Sequence, residues 1–306
     1  MTERVGIVGM GLMGQAFILN MRKAGFAVQG FDLDPARMDD LKSRGGQPVG
    51  SPAAAAKGVK WVITSLPNSD IVRNAVFGAG GIAEGAENGL HICDTTTSRP
   101  EDSERIAGEL AGRGIRFLDS AVSGTSTMAR EKDLVVIAGG TKEDFEACRT
   151  IFGGFSRAAY HMGPVGSGAR TKLVINLILA GNRFALAEGL VLGEKAGLES
   201  ENLLRVLQDS ACSSKTMIDK GPKMIHADYA KQGQIKTALK DSRLMIEQGQ
   251  RLGAPMLMTS LWSQVIQMAY EKGYAEKDSV SFIEMLRSMA GLAERAGTGD
   301  DPPGKR

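Results

Sequence analysis

The tightest constraint on this chain lies within its first 32 residues. An apolar run, Val5-Gly6-Ile7-Val8, leads into Gly9-x-Gly11-x-x-Gly14, and a second apolar run closes on Asp32, 18 residues beyond Gly14. Glycines at this spacing, between strand-like and helix-like text, predict a strand, a tight turn and a helix whose N-terminus faces a dinucleotide pyrophosphate. Gly9 permits the turn, Gly11 lets backbone N–H groups approach the phosphates, and Gly14 lets the helix pack close to the strand. Gly9, Gly11, Leu12, Met13 and Gly14 are therefore candidate cofactor-binding residues. Asp32 is placed to accept hydrogen bonds from the adenosine ribose and to repel a 2′-phosphate, which predicts NAD rather than NADP. With 39 glycines in 306 residues a chance triplet is unremarkable. Its position at the opening of strand–helix text is what makes it specific.

The text after Asp32 extends the same reading. Residues 4–9, 27–32, 60–65, 90–94, 116–119 and 133–139 read as strands, with 157–161 as one more short strand. Helical text lies between many of them, at 12–24, 35–44, 51–57, 69–77, 99–113 and 142–152. Pro35 after Asp34 and Pro52 after Ser51 are helix openings. Such alternation implies βαβ units and a mostly parallel, doubly wound sheet. The text changes at His161-Met162-Gly163-Pro164. Beyond it, 165–195, 201–209, 214–225, 234–252, 257–271 and 279–294 all read as helix. We expect an α/β chain with a Rossmann-type domain over 1–163, an all-helical domain over 164–296 opened by a long inter-domain helix, and a disordered tail over 297–306.

Composition excludes several classes. A formal charge of +2 with no basic cluster, and 5% aromatic residues, disfavour nucleic acid as a partner. Cys93, Cys148 and Cys212 are odd in number and far apart in sequence, which suits buried thiols rather than disulfides. His91, His161 and His226 form no ligand-spaced pair, so no metal site is expected. Leu173–Ala180 is apolar on nearly every face but Asn176. Asn182, Arg183, Glu188 and Glu194 then interrupt it, so we expect a buried helix rather than a membrane span. Strand text from Arg4 leaves no room for a targeting segment, and a cytoplasmic location is expected.

Three further segments carry polar chemistry. Cys93-Asp94-Thr95-Thr96-Thr97-Ser98 follows a strand at the sheet edge where such folds bind ligands. Its hydroxyls meet a ligand, or Thr97 or Ser98 caps the next helix, or both hold for different residues. Asp119-Ser120-Ala121-Val122-Ser123-Gly124-Thr125-Ser126 reads as a loop offering donors to an anion. In Gly168-Ala169-Arg170-Thr171-Lys172-Leu173-Val174-Ile175-Asn176, Lys172 and Asn176 lie one turn apart on one helical face. Lys172 precedes three apolar residues, which points to a desolvated amine able to move protons. Alternatively it is a lysine snorkelling from a buried helix.

In sequence order these motifs resemble the β-hydroxyacid dehydrogenases, the 3-hydroxyisobutyrate dehydrogenase family. The resemblance spans residues 4–290. It rests on Gly9 to Gly14 with Met13, on Asp119, Val122, Ser123 and Gly124, on Gly166, Gly168, Lys172 and Asn176, and on Lys240-Asp241. It implies reversible hydride transfer between NAD and a small 3-hydroxy acid, with Lys172 as acid/base and Asn176 orienting the substrate. Ser123, Gly124, Thr125 and Ser126 would hold the anionic group. Leu66, Pro67, Asn68 and Thr97 would touch the cofactor, and Lys240 would close over its nicotinamide half. Leu33 stands where NADP-using relatives commonly have arginine, which favours NAD again. Ala121, Thr125 and Ile175 depart from the family pattern and leave the substrate tail open, from 3-hydroxyisobutyrate to a sugar acid or a sulfonate. A sulfonate specialist would carry an arginine where Gly124 stands. Imine reductase-like enzymes and non-catalytic dinucleotide-binding modules share the scaffold, but both lack the lysine. A homodimer or homotetramer is expected from the long apolar helix.

Overall fold

In a computed structural model that describes residues 2–295 and 297, the chain divides into two compact units, Met1–Lys172 and Leu173–Arg306. The N-terminal unit holds one sheet built from β1 (Arg4–Val8), β2 (Ala27–Phe31), β3 (Gln47–Pro48), β4 (Trp61–Thr64), β5 (His91–Asp94), β6 (Arg116–Ser123), β7 (Val135–Gly139) and β8 (Ala158–His161). Their order is β3-β2-β1-β4-β5-β6-β7-β8. All neighbouring pairs run parallel except β6 with β7. The order reverses between β1 and β4, which is where doubly wound sheets open a crevice at their carboxyl edge.

The sheet is covered on both sides because its strands alternate buried residues between two cores. Val5, Ile7, Trp61, Ile63, Cys93 and Leu118 enter one core, while Val8, Val62, Ile92 and Phe117 enter the other. Helices α1 (Leu12–Lys23), α2 (Pro35–Ser43), α3 (Pro52–Ala56), α4 (Ser69–Phe77), α5 (Ile82–Gly85), α6 (Pro100–Ala111), α7 (Ser126–Arg130), α8 (Lys142–Ala147) and α9 (Arg149–Phe155) complete this unit. Both proline openings are seen. Asp34 caps α2 through the Ala36 N–H, and Ser51 caps α3 through the Ala54 N–H. Three short elements escape the sequence reading: β3, α5 and α7. The 142–152 helix is two helices that meet at Cys148.

The next helix, α10 (Ser167–Lys195), runs 29 residues and carries the boundary between the two units within it. It contains an 18-residue window of mean hydropathy 1.4, a third of it buried. By length and composition alone it is apolar enough to cross a membrane, as core helices of soluble proteins also are. The second unit is otherwise helical: α11 (Ser200–Asp209), α12 (Lys215–Ile225), α13 (Ile235–Leu252), α14 (Leu257–Ala269) and α15 (Ile283–Met289). The 279–294 segment opens as one turn of 3-10 helix, Ser279–Phe282, before α15. Its core gathers Phe184, Leu190, Trp262, Ile266 and Phe282. The expected tail, apart from Gly297, lies outside the described residues.

Cys93 and Cys148 are buried and their sulfurs lie 3.6 Å apart, although 55 residues separate them in sequence. Cys212 is exposed, contrary to the expectation that all three thiols are buried. Among the described residues no cluster of histidine, cysteine or acidic side chains could hold a metal ion.

Candidate active site

The site in the N-terminal unit is built where β1, β2, β4, β5 and β6 end. Gly9 follows β1 with φ +89°, a conformation that strains any side chain, and its N–H donates to the Phe31 carbonyl at 3.0 Å. A Cβ at Gly14 would come within 2.2 Å of the Gly9 carbonyl oxygen, so only glycine lets α1 start this close to the turn. At Gly11 an added Cβ would meet nothing closer than the Arg37 guanidinium at 3.8 Å. The backbone is thus open on the side from which a phosphate would approach. Gly11 is also the N-cap of α1 and brings no capping side chain, so the first turn, Leu12-Met13-Gly14, presents its N–H groups and positive dipole end. These residues fit a dinucleotide pyrophosphate.

Asp32 directly follows β2. Its carboxylate accepts the Met10 N–H at 2.6 Å and the Asp34 N–H at 2.9 Å, and Arg37 Nη1 lies 3.2 Å away. The sequence reading picks out Asp32 but misses Arg37, because nothing in a helix's first turn marks an arginine as facing back over a glycine turn.

The loops after β4 and β5 are tied together. The Leu66 N–H donates to Thr96 Oγ1 at 3.1 Å, and Thr95 Oγ1 donates to the Thr64 carbonyl at 2.7 Å. Asp94, almost fully buried, accepts from Thr64 Oγ1 at 2.7 Å, from the Thr96 N–H at 3.1 Å and from Ser98 Oγ at 3.5 Å. Burial raises its carboxyl above the usual range, while those hydrogen bonds pull it down. Thr95, Thr96 and Ser98 are therefore buried internal cement, and Thr97 is the half-buried member of the group. The N-cap of α6 is Arg99, two residues after Thr97 and one after Ser98, and no side chain makes a capping hydrogen bond there. Asn68 does cap a helix, accepting the Ile71 N–H at 2.9 Å at the start of α4.

Asp119 to Ser123 is not a loop. These residues continue β6 and pair antiparallel with Val135–Gly139 of β7. The hydroxyls of Ser120 and Ser123 make the text look like a turn, and the partner that converts it to a strand is not visible locally. The loop is only Gly124 and Thr125. Thr125 Oγ1 accepts the Met128 N–H at 3.2 Å and caps α7, which begins with Ser126. Ser123, Gly124 and Ser126 lie together at this end of β6, Ser123 half-buried.

Asp119 sits beside Asp94 in parallel register and is likewise buried. It accepts the Gly166 N–H at 2.8 Å and the Ala169 N–H at 2.6 Å, holding the start of α10 with one carboxylate. Burial raises its carboxyl to about 6, opposed by those two bonds and reinforced by the nearby Asp94 charge. A Cβ on Gly168 would lie 2.3 Å from the Asp119 carbonyl oxygen and 2.6 Å from that of Ile137. The first turn of α10 therefore rests directly on β6 and β7. Lys172 follows Gly168 by four residues, so it occupies the same helical face one turn on. It is half-buried rather than buried, which weakens the desolvation argument made from its apolar neighbours.

In the helical unit, Asn176 Nδ2 donates to Asp241 Oδ2 at 3.0 Å, and Lys240 Nζ lies 3.2 Å from Asp241 Oδ1. A carboxylate only accepts, so the amide nitrogen of Asn176 faces Asp241 and its carbonyl oxygen points elsewhere. Lys240 and Asp241 both lie on α13. Arg183, deeper along α10, has its pKa lowered by burial and raised by Asp278 and Asp241.

Two family models divide the chain between them. Residues 4–163 match the NAD binding domain of 6-phosphogluconate dehydrogenase, and residues 166–286 match the NAD-binding of NADP-dependent 3-hydroxyisobutyrate dehydrogenase. The chain belongs to the 3-hydroxyisobutyrate dehydrogenase family. It is 31% identical to glyoxylate/succinic semialdehyde reductase 1 of Arabidopsis thaliana, over 92% of this chain and 98% of that one. It is 30% identical to 2-(hydroxymethyl)glutarate dehydrogenase of Eubacterium barkeri, over 96% and 98%. The fold is that of a Salmonella typhimurium 3-hydroxyisobutyrate dehydrogenase, with a TM-score of 0.85 at 24% identity over 92% of this chain and 99% of the other. This member of the family is an NAD(P)-dependent hydroxyacid dehydrogenase with an NAD-binding Rossmann-type domain followed by a helical one.

Proposed function

We propose that this dehydrogenase interconverts a small 3-hydroxy acid and its aldehyde or ketone, with Lys172 as the acid/base group. The observation that carries the reading is the seating of α10. Asp119 and Gly168 fix the first turn of the helix on the strand that ends in Ser123, and Lys172 follows one turn later. Bound NAD supplies the hydride acceptor in oxidation and, as NADH, the donor in reduction. The neutral amine of Lys172 takes the substrate hydroxyl proton in oxidation, and the ammonium returns it in reduction. Ser123, Gly124, Thr125 and Ser126 offer hydroxyl and backbone donors to the acid group. The Asn176 carbonyl oxygen, turned away from Asp241, accepts from a substrate hydroxyl and orients it. Leu66, Pro67, Asn68 and Thr97 contact the cofactor.

Preference for NAD over NADP follows from Asp32, whose charge repels a 2′-phosphate. The substrate class follows from the chemistry of the β6 terminus, three hydroxyls and an exposed glycine rather than a guanidinium, which suits a carboxylate. The two relatives act by name on semialdehydes, glyoxylate and a hydroxymethyl dicarboxylic acid, all small acids. A screen of NADH formation tests this reading. Its substrates are 3-hydroxyisobutyrate, 3-hydroxypropionate, glycerate, serine, threonate, 4-hydroxybutyrate and dihydroxypropanesulfonate. Turnover of at least one carboxylate is expected, and turnover of the sulfonate alone would overturn the carboxylate assignment. We also propose a homodimer or homotetramer, on the strength of the exposed Val174, Ile178 and Leu192 along α10, and a cytoplasmic location, on the strength of the free thiols of Cys93 and Cys148 lying side by side.

A further inference from the structure

The adenosine corner of the site contains an arginine that the glycine motif does not announce. Arg37, in the first turn of α2, lies between two carboxylates: its Nη1 is 3.2 Å from Asp32 Oδ2 and its Nε is 3.3 Å from Asp34 Oδ2. Its nitrogen is also the nearest atom to the open side of Gly11. Asp32 is firmly placed by the Met10 and Asp34 N–H groups, with only 9% of its side chain exposed. Arg37 is 42% exposed and can swing. The corner thus carries two negative charges against one positive. A nearby arginine is the group by which this fold class accommodates a 2′-phosphate, and a guanidinium matches phosphate oxygens in a fork.

We propose that Arg37 is a second determinant of cofactor choice: Asp32 and Asp34 hold it over the glycine turn, beside the adenosine ribose, and removing the Asp32 charge releases it to bind a 2′-phosphate. This rests on the reading that Asp32 selects NAD. Charge repulsion by Asp32 is then only half of the selectivity. The other half is the capture of a cation that would otherwise reward NADP.

The test is calorimetric titration of the intact protein with 5′-AMP, 2′,5′-ADP, NAD and NADP, which reads binding without turnover. Asp32→Asn keeps an acceptor for the Met10 N–H while removing the charge, and thermal melting confirms that each variant is folded. Asp32→Asn should bind 2′,5′-ADP about 10-fold or more tightly than the parent, the scale of one new hydrogen bond to a charged group. About half of that gain, in free energy, should be lost in Asp32→Asn/Arg37→Ala and return in part in Asp32→Asn/Arg37→Lys. Equal 2′,5′-ADP affinity of the single variant and the Arg37→Ala double variant would overturn the role of Arg37 alone. A parent protein that prefers 2′,5′-ADP to 5′-AMP would instead overturn the reading of Asp32 beneath it.

Discussion

Asp119 offers a test whose sign is not obvious from its position. The residue looks like a stabilising helix cap, since it accepts two buried N–H groups at the start of α10. Yet burial lifts its carboxyl from 3.8 to about 6, so the folded protein disfavours the charged form. A carboxyl whose folded pKa lies above its unfolded one contributes stability that is present at low pH and lost as the pH rises through the folded value. Asp119→Asn replaces the titrating group by a neutral one of the same shape. With these two pKa values the parent loses about 1.4 kcal/mol relative to the variant between pH 5 and pH 8. In a protein of this size that is roughly 2 °C in melting temperature. Thermal unfolding of both proteins at the two pH values measures it, with the parent favoured more at pH 5 than at pH 8. The variant should also turn over more slowly at pH 8, because the two N–H groups that seat Lys172 bond to different carboxylate oxygens and the amide puts an NH2 donor where one of those acceptors stood. A stability difference that does not change with pH would refute the buried-carboxyl argument.

Other substitutions test other parts of the structure. Gly14→Ala would place a methyl 2.2 Å from the Gly9 carbonyl oxygen. It should weaken NAD binding by about 10-fold or more, as expected for a displaced phosphate turn, with calorimetry as the measure. In the helical unit, the Lys220 ammonium lies 3.0 Å from Asp278 with both side chains buried. Lys220→Met should destabilise by about 3–5 kcal/mol in chemical denaturation, because it takes the paired cation from a buried carboxylate whose other partners are the Gln232, Gly233 and Val280 N–H groups. The double variant Lys220→Met/Asp278→Asn should recover part of that loss. Asn176→Ala should lower turnover by about 10-fold, the scale of one hydrogen bond to the reacting group, in steady-state assays with NAD binding unchanged.

Much of the fold is legible because the strands and glycines are locally determined. Val5 to Val8, Asp32 after its apolar run, and the two proline-opened helices declare themselves within a few residues. What is hidden depends on partners distant in sequence. Ser120 and Ser123 look like loop residues until β7 pairs with them. Asp119 reads as part of an anion-binding motif, yet its carboxylate is spent on the N–H groups of residues 166 and 169, some 47 and 50 positions away. Three of the four hydroxyls after Asp94 turn inward, and the alternatives of ligand contact or helix cap both miss that role. Arg37 is silent in the sequence because its significance comes from facing Gly11, a relation set by the packing of α2 against the sheet.

Lys172 is the residue on which the chemistry depends, so its removal is the most direct measurement. Lys172→Ala is compared with the parent for the rate of NADH formation on the substrate found by screening, and for NAD affinity by calorimetry. A loss of roughly 10²-fold or more in turnover with NAD affinity within about 2-fold is expected for a general acid–base group. Near-parental turnover in that variant would contradict the account and leave the proton transfer to another group.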